Sequence, residues 1–271
     1  MWINYKMSNL DSILMSGTIE FDQHFMTDSA LIKRISAYAQ LKNSDVVLEI
    51  GAGHGELTKE LVKSAKSVIS YEVDSKLHKN LALLSKKHTN LHVFNEDFLD
   101  AQLPKFNKVV ANIPYSISEQ IFTKLMNYDF EVAVLTVGEK FAQLLSGSGE
   151  GRISIIAPVF YKVVIKEAVP KSSFKPAPKV RSSVVAIYPR EKSDIVDYRQ
   201  YVIRELWEQQ TMKTKNALVE GIIHYASSRS EKLTKREARE CVDALGIDAA
   251  TLEKTVRRLS GNELVQLQKI L

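Results

Sequence analysis

The residues Asn112-Ile113-Pro114-Tyr115 directly follow an apolar strand pattern, Lys108–Ala111, and combine groups that could hold an amino group. The carboxamide oxygen of Asn112 can accept a hydrogen bond from an exocyclic –NH2. Pro114 has no N–H and disfavours the α region at Ile113, so nearby carbonyls can point away from a helix. The ring of Tyr115 offers a flat face to a nucleobase. An ordinary strand-to-helix turn with an Asn cap and a core Tyr fits the same residues, and the tetrapeptide alone leaves both interpretations open.

A glycine-rich stretch lies upstream, where a buried-strand pattern at residues 45–50 runs directly into Gly51–Thr58. Glycines allow a tight turn and let a ligand approach the backbone without a Cβ in the way. The spacing here is G-x-G-x-G, whereas dinucleotide-binding folds use G-x-G-x-x-G. The loop therefore favours a ligand with a carboxylate in place of a pyrophosphate.

Two further strand patterns end in acidic residues. Ser67–Tyr71 ends at Glu72, about twenty residues after the glycine loop, where an acid can bind two ribose hydroxyls. Leu91–Phe94 leads to Glu96-Asp97-Phe98, an acceptor beside an aromatic ring that could hold adenine. Each acid alone also fits a helix cap or a solvated turn. Polar groups after four successive strands, at the edge where open α/β sheets bind ligands, indicate S-adenosylmethionine.

These motifs resemble those of the small-subunit ribosomal RNA adenine dimethyltransferases, the KsgA/RsmA and Dim family, whose close relatives are the Erm resistance methyltransferases. The resemblance runs from Phe21–Met26 through the glycine loop and Asn112–Tyr115 to Ser173–Val180, and ends at Pro189. It implies a Rossmann-like α/β S-adenosylmethionine-dependent methyltransferase domain followed by a small C-terminal helical domain.

The resemblance also implies the site residues. The catalytic residues that would contact the target adenine are Asn112, Tyr115 and Phe174, the last on the opposite side of the base. The residues that would contact the cofactor are Gln23, His24, Met26, Gly51, Gly53, Glu72, Asp97, Phe98 and Asn112. Acceptors at Asn112 and at the Ile113 or Pro114 carbonyl would stabilise charge that develops on the amine. No metal is expected, because the histidines show no zinc-like spacing.

Composition is compatible with these expectations. A chain of 271 residues, 45% of them hydrophobic, can bury an α/β core and a smaller unit. We expect the methyltransferase domain at residues 1–190 and a helical RNA-contacting domain at 191–271. A single cysteine, Cys241, excludes an internal disulfide and indicates a reducing cytoplasm. We expect a monomer with neither a signal peptide nor a membrane segment.

The net charge of +5 is concentrated in one short stretch. Its basic residues, interleaved with Phe160, Tyr161 and Phe174, are Lys162, Lys166, Lys171, Lys175, Lys179 and Arg181. A solvated, lysine-rich edge strand would explain them. Contacts with RNA phosphates explain them as well, and Phe174 between lysines and before two prolines favours that interpretation.

The remaining pattern predicts elements of both kinds. A helix is expected over Ser29–Ala39, and further strands over Glu131–Val137, Val159–Val169 and Ser183–Tyr188, the last two as an antiparallel pair. Pro189–Asp194 reads as a linker, and helical periodicity continues from Ile195.

The resemblance implies dimethylation of two adjacent adenosines near the 3′ end of small-subunit rRNA, with that RNA and the immature small subunit as partners. Three other functions stay open: an Erm-like large-subunit rRNA methyltransferase, a non-catalytic ribosome assembly factor, and a small-molecule methyltransferase. The last would have no need for the basic segment or for Asn112–Tyr115.

Overall fold

The computed structural model of the protein describes residues 23–271. The strands in this part are β1 (Phe25–Met26), β2 (Val46–Ile50), β3 (Ser67–Tyr71), β4 (Leu91–Phe94), β5 (Lys108–Asn112), β6 (Val132–Gly138), β7 (Tyr161–Val169), β8 (Phe174–Lys175) and β9 (Ser182–Pro189). The helices are α1 (Ser29–Tyr38), α2 (Glu56–Leu61), α3 (Ser75–Ser85), α4 (Ser118–Leu125), α5 (Glu139–Leu145), α6 (Arg152–Phe160), α7 (Tyr198–Glu208), α8 (Thr214–Ser228), α9 (Lys235–Ala244), α10 (Ala249–Glu253) and α11 (Gly261–Ile270). Residues 1–22, which include Phe21 and Asp22 of the family motif, lie outside the described residues.

The central sheet has seven strands in the order β4-β3-β2-β5-β6-β9-β7. Pairing is parallel from β4 to β6, and β9 is antiparallel to both of its neighbours. The chain builds outward from β2 to β4 and then returns to place β5 on the other side of β2. Open α/β sheets bind ligands at such a reversal, beyond the carboxyl ends of the strands. The topology therefore locates a site next to the glycine loop and Asn112.

Helices cover both faces of the sheet. On one face, Ile121 and Phe122 of α4 pack against Leu48 and Val109 of the strands. On the other face, apolar residues of α1 and α2 pack against the opposite sides of the same strands. Because the inner strands are buried on both faces, they read in sequence as continuous apolar runs and not as alternating patterns.

A third apolar core lies among the C-terminal helices, and α6 belongs to it. Ile155, Ile156 and Val159 of α6 are buried in this core with Val202 of α7 and Leu218 of α8. Ile153 and Ala157, on another side of α6, are buried in the core on the face of the sheet that α4 covers. The helix α6 thus joins the sheet to the C-terminal helices, and the third core extends across residue 190. The division of the chain at that residue stays a prediction.

The Rossmann-like fold class is confirmed, and most predicted elements are found. β3 and β4 have the predicted bounds, α1 ends one residue early, and β7 pairs antiparallel with β9 as expected. The predicted strand start at Val159 is wrong, because residues 152–160 form a helix. A helix buried on nearly all sides has no polar face, so its apolar run cannot be told from a strand by periodicity. None of the helices in residues 23–271 is both long and apolar enough to cross a membrane.

Candidate active site

A cavity of about 310 Å³ opens at the carboxyl ends of β2, β3 and β5. Its volume is within the range of roughly 300–1,000 Å³ that is typical of small-molecule sites. Nine of the predicted site residues line it: Gln23, His24, Gly51, Gly53, Glu72, Asp97, Phe98, Asn112 and Tyr115. Lining residues that were not singled out from sequence include Phe25, Tyr71 and Val73. These are apolar or aromatic residues inside or beside strands, where sequence reasoning assigns them to the core.

The carboxylate of Glu72 joins the end of β3 to the glycine loop. It is 4% exposed, and its Oε2 accepts a hydrogen bond of 2.7 Å from the Gly53 backbone N–H. Its Oε1 accepts one of 2.9 Å from the Asp74 N–H. Burial raises the pKa of Glu72, while the bonds from Asp74 and Gly53 oppose that rise. A carboxylate oxygen has two acceptor sites, so these bonds leave capacity for ligand hydroxyls.

The glycine loop packs against Phe25 of β1. Gly51 and Gly53 have φ angles of +71° and +58°, in the left-handed region that favours glycine. A Cβ at Gly53 would lie 3.0 Å from a ring carbon of Phe25, so no larger residue fits there without displacing that ring. The Phe25 ring also contacts His54, with centroids 4.3 Å apart. Phe25 therefore fixes the loop from above.

Glu49 lies at the end of β2 and was not singled out from sequence. Its Oε2 accepts hydrogen bonds from Thr58 Oγ1 at 2.8 Å and Ser70 Oγ at 2.5 Å. Its buried Oε1 has no hydrogen-bond partner among the described residues. Burial raises the pKa of Glu49 to about 7, and the nearby Glu72 charge adds to the rise. Glu49 thus connects β2, β3 and α2 beside the glycine loop.

Asn112 is held by one end of its carboxamide. Its Nδ2 donates a hydrogen bond of 2.9 Å to the backbone carbonyl of His24. Its Oδ1 is buried and has no partner among the described residues. Because the amide nitrogen is committed to His24, the oxygen is the end that can accept a hydrogen bond from a ligand.

Tyr115 and the carbonyls before it are also fixed. The Tyr115 hydroxyl forms a 2.5 Å hydrogen bond with the hydroxyl of Ser182 in β9, and its ring lies 5.8 Å from that of His24. The Pro114 carbonyl accepts hydrogen bonds from Ser118 Oγ and the Ile117 N–H at the start of α4. Of the two carbonyls considered from sequence, that of Ile113 is therefore the better candidate for a ligand contact.

Two predicted site residues, Met26 and Phe174, lie in the protein interior. They pair across β1 and β8, are 5% and 4% exposed, and belong to the core on the face of the sheet that α1 and α2 cover. Neither is among the lining residues of the cavity. The lysines around Phe174 indicated an exposed loop, but strand pairing with β1 turns the ring inward. In β1 the alternation of a strand directs Phe25 to the glycine loop and Met26 to the core.

Asp97 and Phe98 form the far side of the cavity. Oδ1 of Asp97 accepts a 2.8 Å hydrogen bond from the Leu99 N–H, which closes a tight turn after β4. The buried Phe98 ring packs edge-on against Tyr71 with centroids 6.1 Å apart. The described residues contain no group of three or more His, Cys, Asp or Glu that could hold a metal ion.

The model of one family, described as ribosomal RNA adenine dimethylase, matches residues 15–242. The chain belongs to this family. A probable ribosomal RNA small subunit methyltransferase A of Methanosarcina acetivorans is 34% identical over 259 residues, which cover 93% of this chain and 92% of the relative. The protein of the same description from Methanococcus aeolicus is 37% identical over 253 residues, which cover 88% and 93%.

Solved structures agree with this dimethylase assignment. A dimethyladenosine transferase from Plasmodium falciparum is 27% identical and has a TM-score of 0.62, over 90% of this chain and 96% of that one. The 23S rRNA methyltransferase ErmE is 26% identical with a TM-score of 0.61, over 91% and 99%. The protein is accordingly an S-adenosylmethionine-dependent methyltransferase of the Rossmann-like class.

We expect Glu72→Ala to weaken the binding of S-adenosylmethionine about 10- to 100-fold, because the ribose hydroxyls lose a charged acceptor worth about 1.5–3 kcal/mol. Isothermal titration calorimetry measures the dissociation constants. Glu96→Ala, which removes an exposed acid at the cavity rim, is the matched control and should have a smaller effect. Unchanged affinity in Glu72→Ala would remove Glu72 from the cofactor site.

We expect Glu49 to make the stability of the fold depend on pH. Because the pKa of Glu49 is raised in the folded protein, the stabilisation that Glu49 contributes to the fold is complete below the ordinary pKa of about 4.5. This stabilisation is lost as pH rises through about 7. Glu49→Gln mimics the protonated acid and lacks this loss. Between pH 5 and 8, wild type should lose about 2–3 kcal/mol of unfolding free energy relative to the variant. Urea denaturation at each pH measures the unfolding free energy, and Glu150→Gln, which changes an exposed acid, is the control. Parallel pH profiles for wild type and Glu49→Gln would contradict the pKa assigned to Glu49.

Proposed function

We propose that the protein transfers methyl groups from S-adenosylmethionine to N6 of two adjacent adenosines near the 3′ end of small-subunit rRNA. The family description and the small-subunit names of the relatives support the RNA and the base. The observation that carries the proposal is the carboxamide of Asn112: the residue lines the cavity, and its buried Oδ1 has no partner among the described residues. It is an acceptor placed where an adenine amine could donate.

The residues around the cavity fit the cofactor. We assign Glu72 to the ribose hydroxyls, Asp97 to the adenine amine and Phe98 to the adenine face. Gly51 faces the Asn112 carbonyl and the Pro114 ring, 3.8 Å from where its Cβ would lie, and its φ of +71° favours glycine at this point between the two motifs. When bound, S-adenosylmethionine supplies an electrophilic methyl group on a sulfonium sulfur.

The adenine amine is a poor nucleophile because its lone pair is delocalised into the ring. Acceptors at Asn112 Oδ1 and the Ile113 carbonyl draw the amine toward tetrahedral geometry and stabilise the positive charge that develops on it. The Asn112 side chain needs little reorganisation when the amine binds, because its amide nitrogen is already held by the His24 carbonyl. The product ammonium is acidic, so its proton can leave to water.

Tyr115 orients the base. Its hydroxyl is anchored to Ser182, whose side chain is fully buried in β9. An aromatic ring held in this way can stack on an adenine and align the nitrogen with the methyl group, which is a proximity contribution. Since the cavity lies inside the protein, the target adenine must be unpaired or flipped out of a helix.

Part of the basic segment lies next to the cavity. The Nδ1 atom of His24 lies 3.0 Å from the Pro176 carbonyl, so the loop that carries Lys175 and Lys179 is adjacent to the cavity. Both lysine side chains are exposed. Other basic residues have partners in the fold: Arg181 pairs with Glu139, and Lys166 lies over the Tyr38 ring. We assign the exposed lysines to RNA phosphates.

We further propose that residues 191–271 form the RNA-contacting helical unit and that the monomer acts on immature small subunits in the cytoplasm. An Erm-like activity on large-subunit rRNA is the second candidate, because the TM-score to ErmE is nearly equal to that to the dimethyladenosine transferase. The names of the curated relatives favour the small subunit.

Asn112→Ala should lower the single-turnover rate about 10²–10³-fold, the effect of removing one preorganised transition-state partner. Tyr115→Ala should also lower it, through the loss of a stacking contribution of about 1–3 kcal/mol. Neither variant should lose as much thermal stability as Phe174→Ala, which empties a core position and should cost about 3–5 kcal/mol. Wild-type rates in both Asn112→Ala and Tyr115→Ala would contradict the mechanism.

The substrate is tested by incubating the enzyme and labelled cofactor with immature small subunits, with large subunits or with adenosine. We expect N6,N6-dimethyladenosine in small-subunit RNA alone, identified by mass spectrometry after digestion. RNA binding should weaken steeply as salt is raised, because phosphate contacts release counterions. Label confined to large-subunit RNA would establish the second candidate, and label in free adenosine alone would contradict the RNA assignment.

A further inference from the structure

Lys124, near the end of α4, binds the backbone of the segment that follows β4. Its Nζ donates hydrogen bonds to three carbonyls: Phe98 at 2.6 Å, Leu99 at 3.1 Å and Ala101 at 2.5 Å. The same Nζ lies 5.0 Å from the centroid of the Phe98 ring. An ammonium group has three N–H donors, and all three are used here.

The charge of Lys124 is thus committed to carbonyls. Among the described residues Lys124 forms no ion pair, and Asp100 and Asp97 act on its charge only through space. Partial burial lowers the pKa of Lys124, and the two acids oppose that change. A lysine held for solubility would extend into water, whereas this one gives up hydration to bind three backbone oxygens.

The carbonyls that Lys124 gathers belong to the turn that carries Asp97 and Phe98. The N–H groups of Asp100 and Ala101 donate to the Asp97 carbonyl, at 3.1 and 3.0 Å. The carbonyls of Phe98, Leu99 and Ala101, which follow in this turn, need a hydrogen-bond donor from elsewhere in the fold. Lys124 is that donor, and it supports the segment from behind while Asp97 and Phe98 line the cavity.

We propose that Lys124 is a positioning residue that fixes Asp97 and Phe98 in the geometry that selects adenine as the base of the cofactor. This inference rests on the proposed function. The helix α4 begins at Ser118, immediately after the turn at Tyr115–Ile117. One helix thus joins the residue that holds the target base to the residues that hold the cofactor base.

The test uses the full-length protein and calorimetric titration with two ligands, S-adenosylhomocysteine and S-inosylhomocysteine. They differ in the base, where an oxo group replaces the 6-amino group that Asp97 would accept. Wild type should prefer the adenosyl ligand at least 10-fold. Lys124→Met should weaken adenosyl binding at least fivefold, leave inosyl binding nearly unchanged and so bring the ratio of the two dissociation constants toward one.

Two control variants accompany Lys124→Met. Lys105→Met removes an exposed lysine that has no hydrogen bond or ion pair to any described residue, and it should keep the wild-type ratio. Lys124→Arg retains the charge and donors and should stay closer to wild type than Lys124→Met. A wild-type ratio in Lys124→Met, or an equal loss for both ligands, would overturn the assignment. Failure of the wild type itself to bind S-adenosylhomocysteine would instead overturn the proposed function.

Discussion

The hydrogen bond from Asn112 Nδ2 to the His24 carbonyl determines what the active site can do. It joins the end of β5 to the segment that enters β1, and it commits the nitrogen of the carboxamide. The oxygen is thereby left as a buried acceptor at the cavity. An unpaired buried acceptor is costly to a fold, and a ligand amine that donates to it removes that cost. In the function proposed above, the binding and orientation of the target amine follow from this one side-chain conformation.

The parallel sheet makes this arrangement possible, because it brings the ends of β2, β3 and β5 to one edge. Glu72 secures the glycine loop through Gly53, and Glu49 connects the strands beneath that loop. Lys124 supports the opposite wall by binding the carbonyls after β4. Most of the polar groups at this edge thus bind one another, and Asn112, whose Oδ1 has no partner among the described residues, lines the cavity.

Much of this could be predicted from sequence, because strand patterns with polar residues at their ends define both the sheet and its binding edge. Glu72, Asp97 and Asn112 were recognised in this way. The burial of Phe174 could not be predicted, because flanking lysines indicate exposure while the pairing of β8 with a distant two-residue strand buries the ring; its role at the target base stays a prediction. Glu49 and Lys124 were not singled out, since their roles depend on which backbone and hydroxyl groups the tertiary structure brings to them. The helix α6 was missed because it is buried on nearly all sides.

The most direct test of the role of Asn112 is a crystal structure of the protein with S-adenosylhomocysteine and a short RNA that contains the target adenosines. The distance from Asn112 Oδ1 to N6 of the flipped adenine is the decisive quantity. We predict about 2.7–3.2 Å, the range of an N–H···O hydrogen bond, with Nδ2 still bound to the His24 carbonyl. An N6 atom beyond that range, or a carboxamide turned so that its nitrogen faces the base, would contradict the account.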